Sequence, residues 1–151
     1  MSSILFYRVN EPYGEFSNFA PFPIILKGKT WPTSEHYFQA QKFPDTANEE
    51  EIRNEPSPMV AARMGCSRSR PLRRDWEIVK DSIMYEAVMA KVTQHASVRD
   101  LLLNTGEAAL IEHTDNDRYW ADGVDGTGRN RLGEILCEIR AVLRESNRSP
   151  H

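Results

Sequence analysis

An α+β fold, mostly helical, is what this 151-residue sequence predicts, and three observations predict it. Near the C-terminus, Leu132, Ile135, Leu136, Ile139, Val142 and Leu143 recur at the i, i+3, i+4, i+7 spacing of one core-facing helical stripe. The extended signals, by contrast, are short. Ile24-Ile25-Leu26 and Lys29-Thr30-Trp31 flank Lys27-Gly28 as a hairpin would. Finally, 40% hydrophobic and 27% charged residues at this length are the composition of a globular chain able to bury one good core. One domain over residues 1–145 is expected, followed by a polar, frayed tail at 146–151.

In chain order, Ile4-Leu5-Phe6-Tyr7 reads as a first strand, and Asn10 to Gly14, with Pro12, as a turn into Phe16-Ser17-Asn18-Phe19. Pro21 and Pro23 keep the next segment extended as it enters the hairpin. Pro32 cannot lie inside a helix, Thr33 or Ser34 can cap one, and Pro44 disfavours a helical Phe43, so a helix is expected from about Ser34 to Lys42. Asn48 with three glutamates after it, and Ser57-Pro58, open two short helices; Gly65 closes the second. Ile83, Val79, Val88, Ala87 and Met84 define a long amphipathic helix from Asp75 to Val92, with Trp76 oddly placed in its first turn. A shorter helix follows from about His95 to Leu103, then a strand at Ala109-Leu110-Ile111-Glu112.

Composition also narrows function. No apolar run approaches the ~20 residues of a membrane span, and Met1-Ser2-Ser3-Ile4 lacks a basic, apolar leader, so a cytoplasmic protein without a membrane partner is expected. Cys66 and Cys137 are too few for a disulfide framework and read as reduced packing residues. The four histidines lack metal-ligand spacing, so no metal and no cofactor are expected. A net charge of −3 argues against a broad duplex-binding face.

The polar and aromatic groups concentrate in Trp31-Pro32-Thr33-Ser34-Glu35-His36-Tyr37-Phe38-Gln39-Ala40-Gln41-Lys42-Phe43. Two helical turns return Glu35 and Lys42 to one face, ~10 Å apart along the axis. A carboxylate in the first turn and an ammonium in the last would also complement the helix dipole, for ~0.3–1 kcal/mol each. A solvated helix, however, has no use for Trp31, Tyr37, Phe38 and Phe43 around those charges. A charged pair in an aromatic-walled recess is the better reading.

A second polar stretch runs from His113 to Arg131. Gly123, Gly126 and Gly128, with Arg129 and Arg131, precede the last helix and admit two readings: a phosphate cradle or a long surface turn. Neither the Walker nor the dinucleotide-binding pattern fits, and Asn130 is placed to cap the helix. Asp115, Asp117 and Asp122 beside Tyr119 and Trp120 could polarise a leaving group and stack on a base, or form a solvated turn.

The block at 31–43, with Gly14-Glu15-Phe16-Ser17-Asn18-Phe19 before it, resembles the NADAR superfamily and its YbiA-like members. Ser57-Pro58-Met59-Val60-Ala61-Ala62-Arg63-Met64-Gly65, Arg74-Asp75-Trp76, Leu101-Leu102-Leu103-Asn104-Thr105, Glu112-His113-Thr114-Asp115-Asn116-Asp117 and Gly126-Thr127-Gly128-Arg129-Asn130-Arg131-Leu132-Gly133 continue it, in order, over residues 4–145. The resemblance implies a compact, mostly helical α+β domain with N-glycosidase activity. Its substrates would be ribosylamino heterocycles bearing phosphate, such as riboflavin biosynthesis intermediates, or ADP-ribosyl-guanine in nucleic acid. A non-catalytic ADP-ribose or nucleotide-binding module is the alternative of another class; retention of both Glu35 and Lys42 favours an enzyme. Carried over by position, Glu35, Lys42, Trp76 and Asp117 are the implied functional set. Asn18, Phe19, Trp120, Asp122, Gly126, Gly128 and Asn130 are expected to contact substrate. Because a glycosylamine can open to an imine, Lys42 could hold the sugar as a Schiff base, the alternative being a purely electrostatic role. One departure from the pattern is Ala121, where glycine is expected, and it puts the local backbone of that loop in question.

Overall fold

The computed structural model describes residues 2–148. In chain order the elements are strand β1 (Ser3–Phe6), a 3-10 turn (Gly14–Phe16), β2 (Ile24–Leu26), β3 (Lys29–Trp31), α1 (Ser34–Ala40), α2 (Ala47–Asn54), α3 (Pro58–Gly65), α4 (Trp76–Gln94), α5 (Ala96–Asn104), β4 (Ala109–Glu112) and α6 (Arg131–Arg148). The class is α+β. The backbone groups into two compact units: Asn18–Gln94, and the residues up to Ser17 together with those from His95 onward.

In the 18–94 unit, β2 and β3 pair antiparallel with Ile24 opposite Trp31, and Lys27 and Gly28 both take positive φ, as a tight hairpin turn demands. The hairpin leads into α1, whose residues Ser34 through Ala40 are all buried. A helix enclosed on every side must find partners for its polar side chains. Thr33 caps it by accepting the His36 N–H, and the His36 ring lies 2.8 Å from Thr33 Oγ1 and 2.7 Å from the Glu55 carbonyl. Ser34 donates to Asn18 Oδ1 at 2.7 Å, and the Tyr37 hydroxyl to Glu86 at 2.5 Å. Trp31, Tyr37, Ala40 and Phe43 join Ile24, Ile52, Ala61 and Ala87 in the core. As expected, α3 opens on Ser57 and Pro58 and ends at Gly65; α2 is instead capped by Thr46, one turn ahead of the carboxylates, rather than by Asn48.

Two expectations about this unit shift. α1 stops at Ala40, two residues early, because Gln41 turns back on Gln39 and Tyr37, while Lys42 and Phe43 close 3-10 bonds to Gln39 and Ala40 ahead of Pro44. Cys66 is exposed, not a packing residue.

In the other unit, β1 and β4 pair in parallel, Ser3 opposite Ala109 and Phe6 opposite Glu112, so the two hydrogen-bonded pairs form separate two-stranded sheets. Leu132, Ile135, Leu136 and Ile139 of α6 are buried as the periodicity requires. Val142, expected on the same stripe, is 45% exposed. α6 continues through Ser146, Asn147 and Arg148, so fraying does not begin at 146; residues 149–151 of the expected tail lie outside the described residues. No described helix is long and apolar enough to cross a membrane.

Candidate functional site

Within the 18–94 unit three of the expected site residues come together. Lys42 sits just past the end of α1 with Nζ 5.6 Å from the centre of the Trp76 ring and 5.9 Å from that of Phe38, and those two rings are 5.1 Å apart. Its single polar partner among the described residues is the Gly65 carbonyl, to which Nζ donates at 3.3 Å. Burial therefore drives the Lys42 pKa below its ordinary 10.5, and the charges of Cys66 and Glu35 only partly oppose this. Glu35 is 8% exposed and accepts from Gln39 Nε2 at 2.8 Å. Of the aromatics expected around the pair, Phe38 flanks Lys42, and Trp76 joins it from α4. Trp31 and Tyr37 face the core, while Phe43 is buried there and, with Lys42, also lines a recess that runs to Leu72.

Several residues not anticipated from sequence hold this arrangement. Gln39 is one turn after Glu35, an i, i+4 spacing that made it readable as a partner. Its Oε1 is buried with no hydrogen-bond partner among the described residues, packed where a Cβ on Gly65 would lie only 1.9 Å away. Gly65 thus lets α3 approach α1 closely enough to offer its carbonyl to Lys42. Arg73 donates its backbone N–H to the Lys42 carbonyl at 3.0 Å and Nη1 to the Gln41 carbonyl at 3.3 Å, satisfying acceptors that the end of α1 leaves open. Its Nε also meets Asp75 at 2.6 Å, which fastens the start of α4, and so Trp76, to the Lys42 turn. Only tertiary contact reveals Gly65 and Arg73.

Asn18, expected to contact substrate, is bonded to α1: its carbonyl accepts the Glu35 N–H, Oδ1 accepts from Ser34, and Nδ2 lies 3.3 Å from Met84 Sδ. The neighbouring Phe19 is half-buried.

The remaining expected residues belong to the other unit. Asp117 Oδ1 accepts the backbone N–H groups of Tyr119 at 2.7 Å and Trp120 at 2.6 Å, while Oδ2 has no partner among the described residues. The Trp120 ring stands edge-on to Tyr119 at 4.8 Å. Asp122 is held by His113 Nδ1 at 2.7 Å and by the N–H groups of Thr114 and Val124. Burial alone would raise its pKa, but those bonds outweigh it and hold the carboxyl below the ordinary 3.8.

The glycine loop, open by sequence to a phosphate cradle or a surface turn, has its amides from Thr127 to Arg131 engaged within the loop. Thr127 N–H goes to Asp125; those of Gly128, Arg129, Asn130 and Arg131 go to the carbonyls of Asp122, Arg118, Ala121 and Tyr119. Gly126 occupies the turn with φ +83°. Gly128 is required where it stands, since a Cβ there would lie 2.3 Å from the Ala121 carbonyl oxygen. Asn130 occupies the cap position, its carbonyl accepting the Glu134 N–H. Its side chain, however, is drawn to β4, accepting from Glu112 N–H and donating to the Leu110 carbonyl, both at 2.9 Å. Ala121, the doubtful position, is buried and has no positive φ; Gly123 takes that conformation instead.

Known proteins share this sequence and fold. The NADAR domain matches residues 5–144. The chain is 60% identical over 140 residues to N-glycosidase YbiA of Escherichia coli, covering 93% of this chain and 88% of that protein. It is 43% identical over 145 residues to an N-glycosidase of Nostoc punctiforme, covering 94% and 93%. A riboflavin biosynthesis protein of Vibrio vulnificus is 39% identical over 142 residues, which are 94% of this chain but 39% of that longer protein. The NMR structure of Escherichia coli YbiA superposes with a TM-score of 0.91 at 57% identity, covering 99% of this chain and 90% of that one. With a family match across nearly its whole length, the chain belongs to the NADAR domain family.

Proposed function

We propose that this chain is an N-glycosidase that cleaves the bond between ribose C1 and the exocyclic amine of a phosphorylated ribosylamino heterocycle, of the kind found among riboflavin biosynthesis intermediates. One observation carries the reading: a half-buried lysine, aromatic on two sides and bonded only to a carbonyl, beside a buried carboxylate. Such a lysine is poorly placed to be a structural cation and well placed to be a neutral amine. The names of the N-glycosidase relatives and of the riboflavin-associated relative point the same way.

The chemistry follows from those groups. As the sugar ring opens, the amine lone pair forms C1=N and the ring oxygen gains a proton. Lys42 Nζ adds to C1, the C1–N bond to the heterocycle breaks, and the amine departs carrying the proton that Nζ gives up. Water then adds to C1, the C1–Nζ bond breaks, and ribose 5-phosphate leaves. Glu35 is suited to carry protons between the two nitrogens and the water, a role that typically supplies ~10²–10⁴-fold in rate. Gln39 fixes the carboxylate while it does so.

The direct test incubates the purified protein with ribosylamino pyrimidine phosphates and, separately, with oligonucleotide ADP-ribosylated on guanine, following base release by mass spectrometry. Release from the small substrates supports the proposal, release from the oligonucleotide alone assigns the chain to nucleic-acid repair, and binding without release in either makes it a binding module.

A further inference from the structure

Beside Lys42 the 18–94 unit carries an open recess of about 530 Å³, a volume in the range that small-ligand sites occupy. Its lining between α3 and α4 includes Ser67, Arg68 and Arg70 together with Lys42, and no carboxylate. The two arginines differ in how they are held. Arg70 donates Nη1 to Asn48 Oδ1 at 2.6 Å and lies 3.5 Å from the exposed Glu51, while its Nε is buried and meets no acceptor among the described residues. Arg68 is exposed, and its side chain has no hydrogen-bond or ionic partner among the described residues. The Ser67 and Ser69 hydroxyls lie 2.8 Å apart, so either can turn its proton outward. One cation is therefore fixed and one is available, next to the amine that the mechanism above places at ribose C1.

We propose that this recess is the phosphate subsite: Arg68, assisted by Ser67 and the fixed charge of Arg70, binds the phosphomonoester of the sugar whose C1 meets Lys42. The assignment rests on the N-glycosidase reading and moves the phosphate away from the glycine loop, whose amide hydrogens from Thr127 to Arg131 are already donated. A guanidinium matches a phosphomonoester with paired N–H groups, and here it faces its ligand without a competing carboxylate in the lining. Sugar and phosphate are then gripped by two segments that the fold brings together, the turn after α1 and the loop from Cys66 to Leu72.

Binding of ribose 5-phosphate, ribose and ADP-ribose to the full chain, measured by calorimetry in wild type and in Arg68→Ala, tests this without requiring turnover. Loss of a charge-assisted pair corresponds to roughly a tenfold or greater weakening for ribose 5-phosphate, with ribose unchanged and affinity falling as salt rises. Because Arg68 touches no other residue's polar group, the variant should unfold at the wild-type temperature. In turnover, KM for the phosphorylated substrate should rise with kcat held. Arg68-dependent binding of ribose 5-phosphate in a protein that hydrolyses neither substrate would sustain the subsite and overturn the N-glycosidase reading. No binding of ribose 5-phosphate by wild type, equal weakening of ribose and ribose 5-phosphate, an unaltered Arg68→Ala, or ADP-ribose bound in preference to ribose 5-phosphate would each overturn the subsite.

Discussion

The Lys42 turn and the glycine loop are both dense in polar groups, yet they differ in what those groups are doing. In the loop from His113 to Arg131 the Asp122 carboxylate takes three donors, the Asn130 amide is used at both ends, and successive backbone N–H groups close on carbonyls of the same loop. At the Lys42 turn, among the described residues, an amine bonds to one carbonyl and a buried amide oxygen to no donor. Fully partnered polar groups stabilise a fold, whereas under-partnered ones in a recess hold their bonding capacity for something else. Polar density alone marks neither; the hydrogen-bond ledger separates them.

The largest way to break the comparison is at the under-partnered end. Glu35→Gln should lower kcat by ~10²–10⁴-fold with the unfolding temperature nearly kept, since the amide can still accept from Gln39. Wild-type turnover in a folded Glu35→Gln would reduce Glu35 to a helix-dipole partner. At the fully partnered end, Gly128→Val forces a side chain against the Ala121 carbonyl and should cost about 3 kcal/mol or more in chemical denaturation. Its KM should change equally for phosphorylated and dephosphorylated substrates. A selective rise for the phosphorylated one would return the phosphate to the glycine loop.

A smaller loss is expected for Asn130→Ala, which strands Glu112 N–H and the Leu110 carbonyl and should cost roughly 2–4 kcal/mol in stability, with kcat retained in the folded fraction. The smallest effect concerns pH. Between the lowered folded-state pKa of Lys42 and 10.5, the unfolded chain holds a proton that the folded chain has released, so the Lys42 contribution to stability improves as pH rises through that window. Below the window the penalty for the buried ammonium is complete. Lys42→Met should therefore be inactive yet at least as stable as wild type near neutral pH, with its advantage shrinking toward pH 10.5. Denaturation midpoints of both proteins across pH check the sign; a variant that loses stability at neutral pH would show that the charge is structural.

Much of this was legible in the residues. Ser57-Pro58 and Gly65 delimit α3, Lys27-Gly28 turns the hairpin, and the spacing of Leu132 to Ile139 buries one face of α6 because these signals are local. The parallel pairing of Ser3–Phe6 with Ala109–Glu112 was not readable, since more than a hundred residues separate the partners and nothing in either strand encodes the other. The site divided in the same way. Glu35, Lys42 and Phe38 could be read from one stretch, with Gln39 one turn after Glu35, whereas two of that stretch's other aromatics, Trp31 and Tyr37, face the core and the second ring at Lys42 comes from Trp76. Arg73, Gly65 and Arg68 act through the contact of separate segments, so their sequence neighbourhoods are silent. The glycine loop stayed open between two readings because glycines before a helix mark a phosphate site only when their N–H groups remain undonated, and the fold rather than the local sequence sets which are donated.

The central claim is that Lys42 is a nucleophilic amine. Borohydride added during turnover of a ribosylamino pyrimidine phosphate, followed by peptide mass spectrometry, tests it most directly. Wild type should retain an adduct with the mass of the reduced sugar phosphate on the peptide containing Lys42, while Lys42→Arg, which keeps the charge but cannot form the imine, should lose both adduct and rate. An active Lys42→Arg together with no adduct on the wild type would contradict the covalent route and leave Lys42 an electrostatic partner of Glu35.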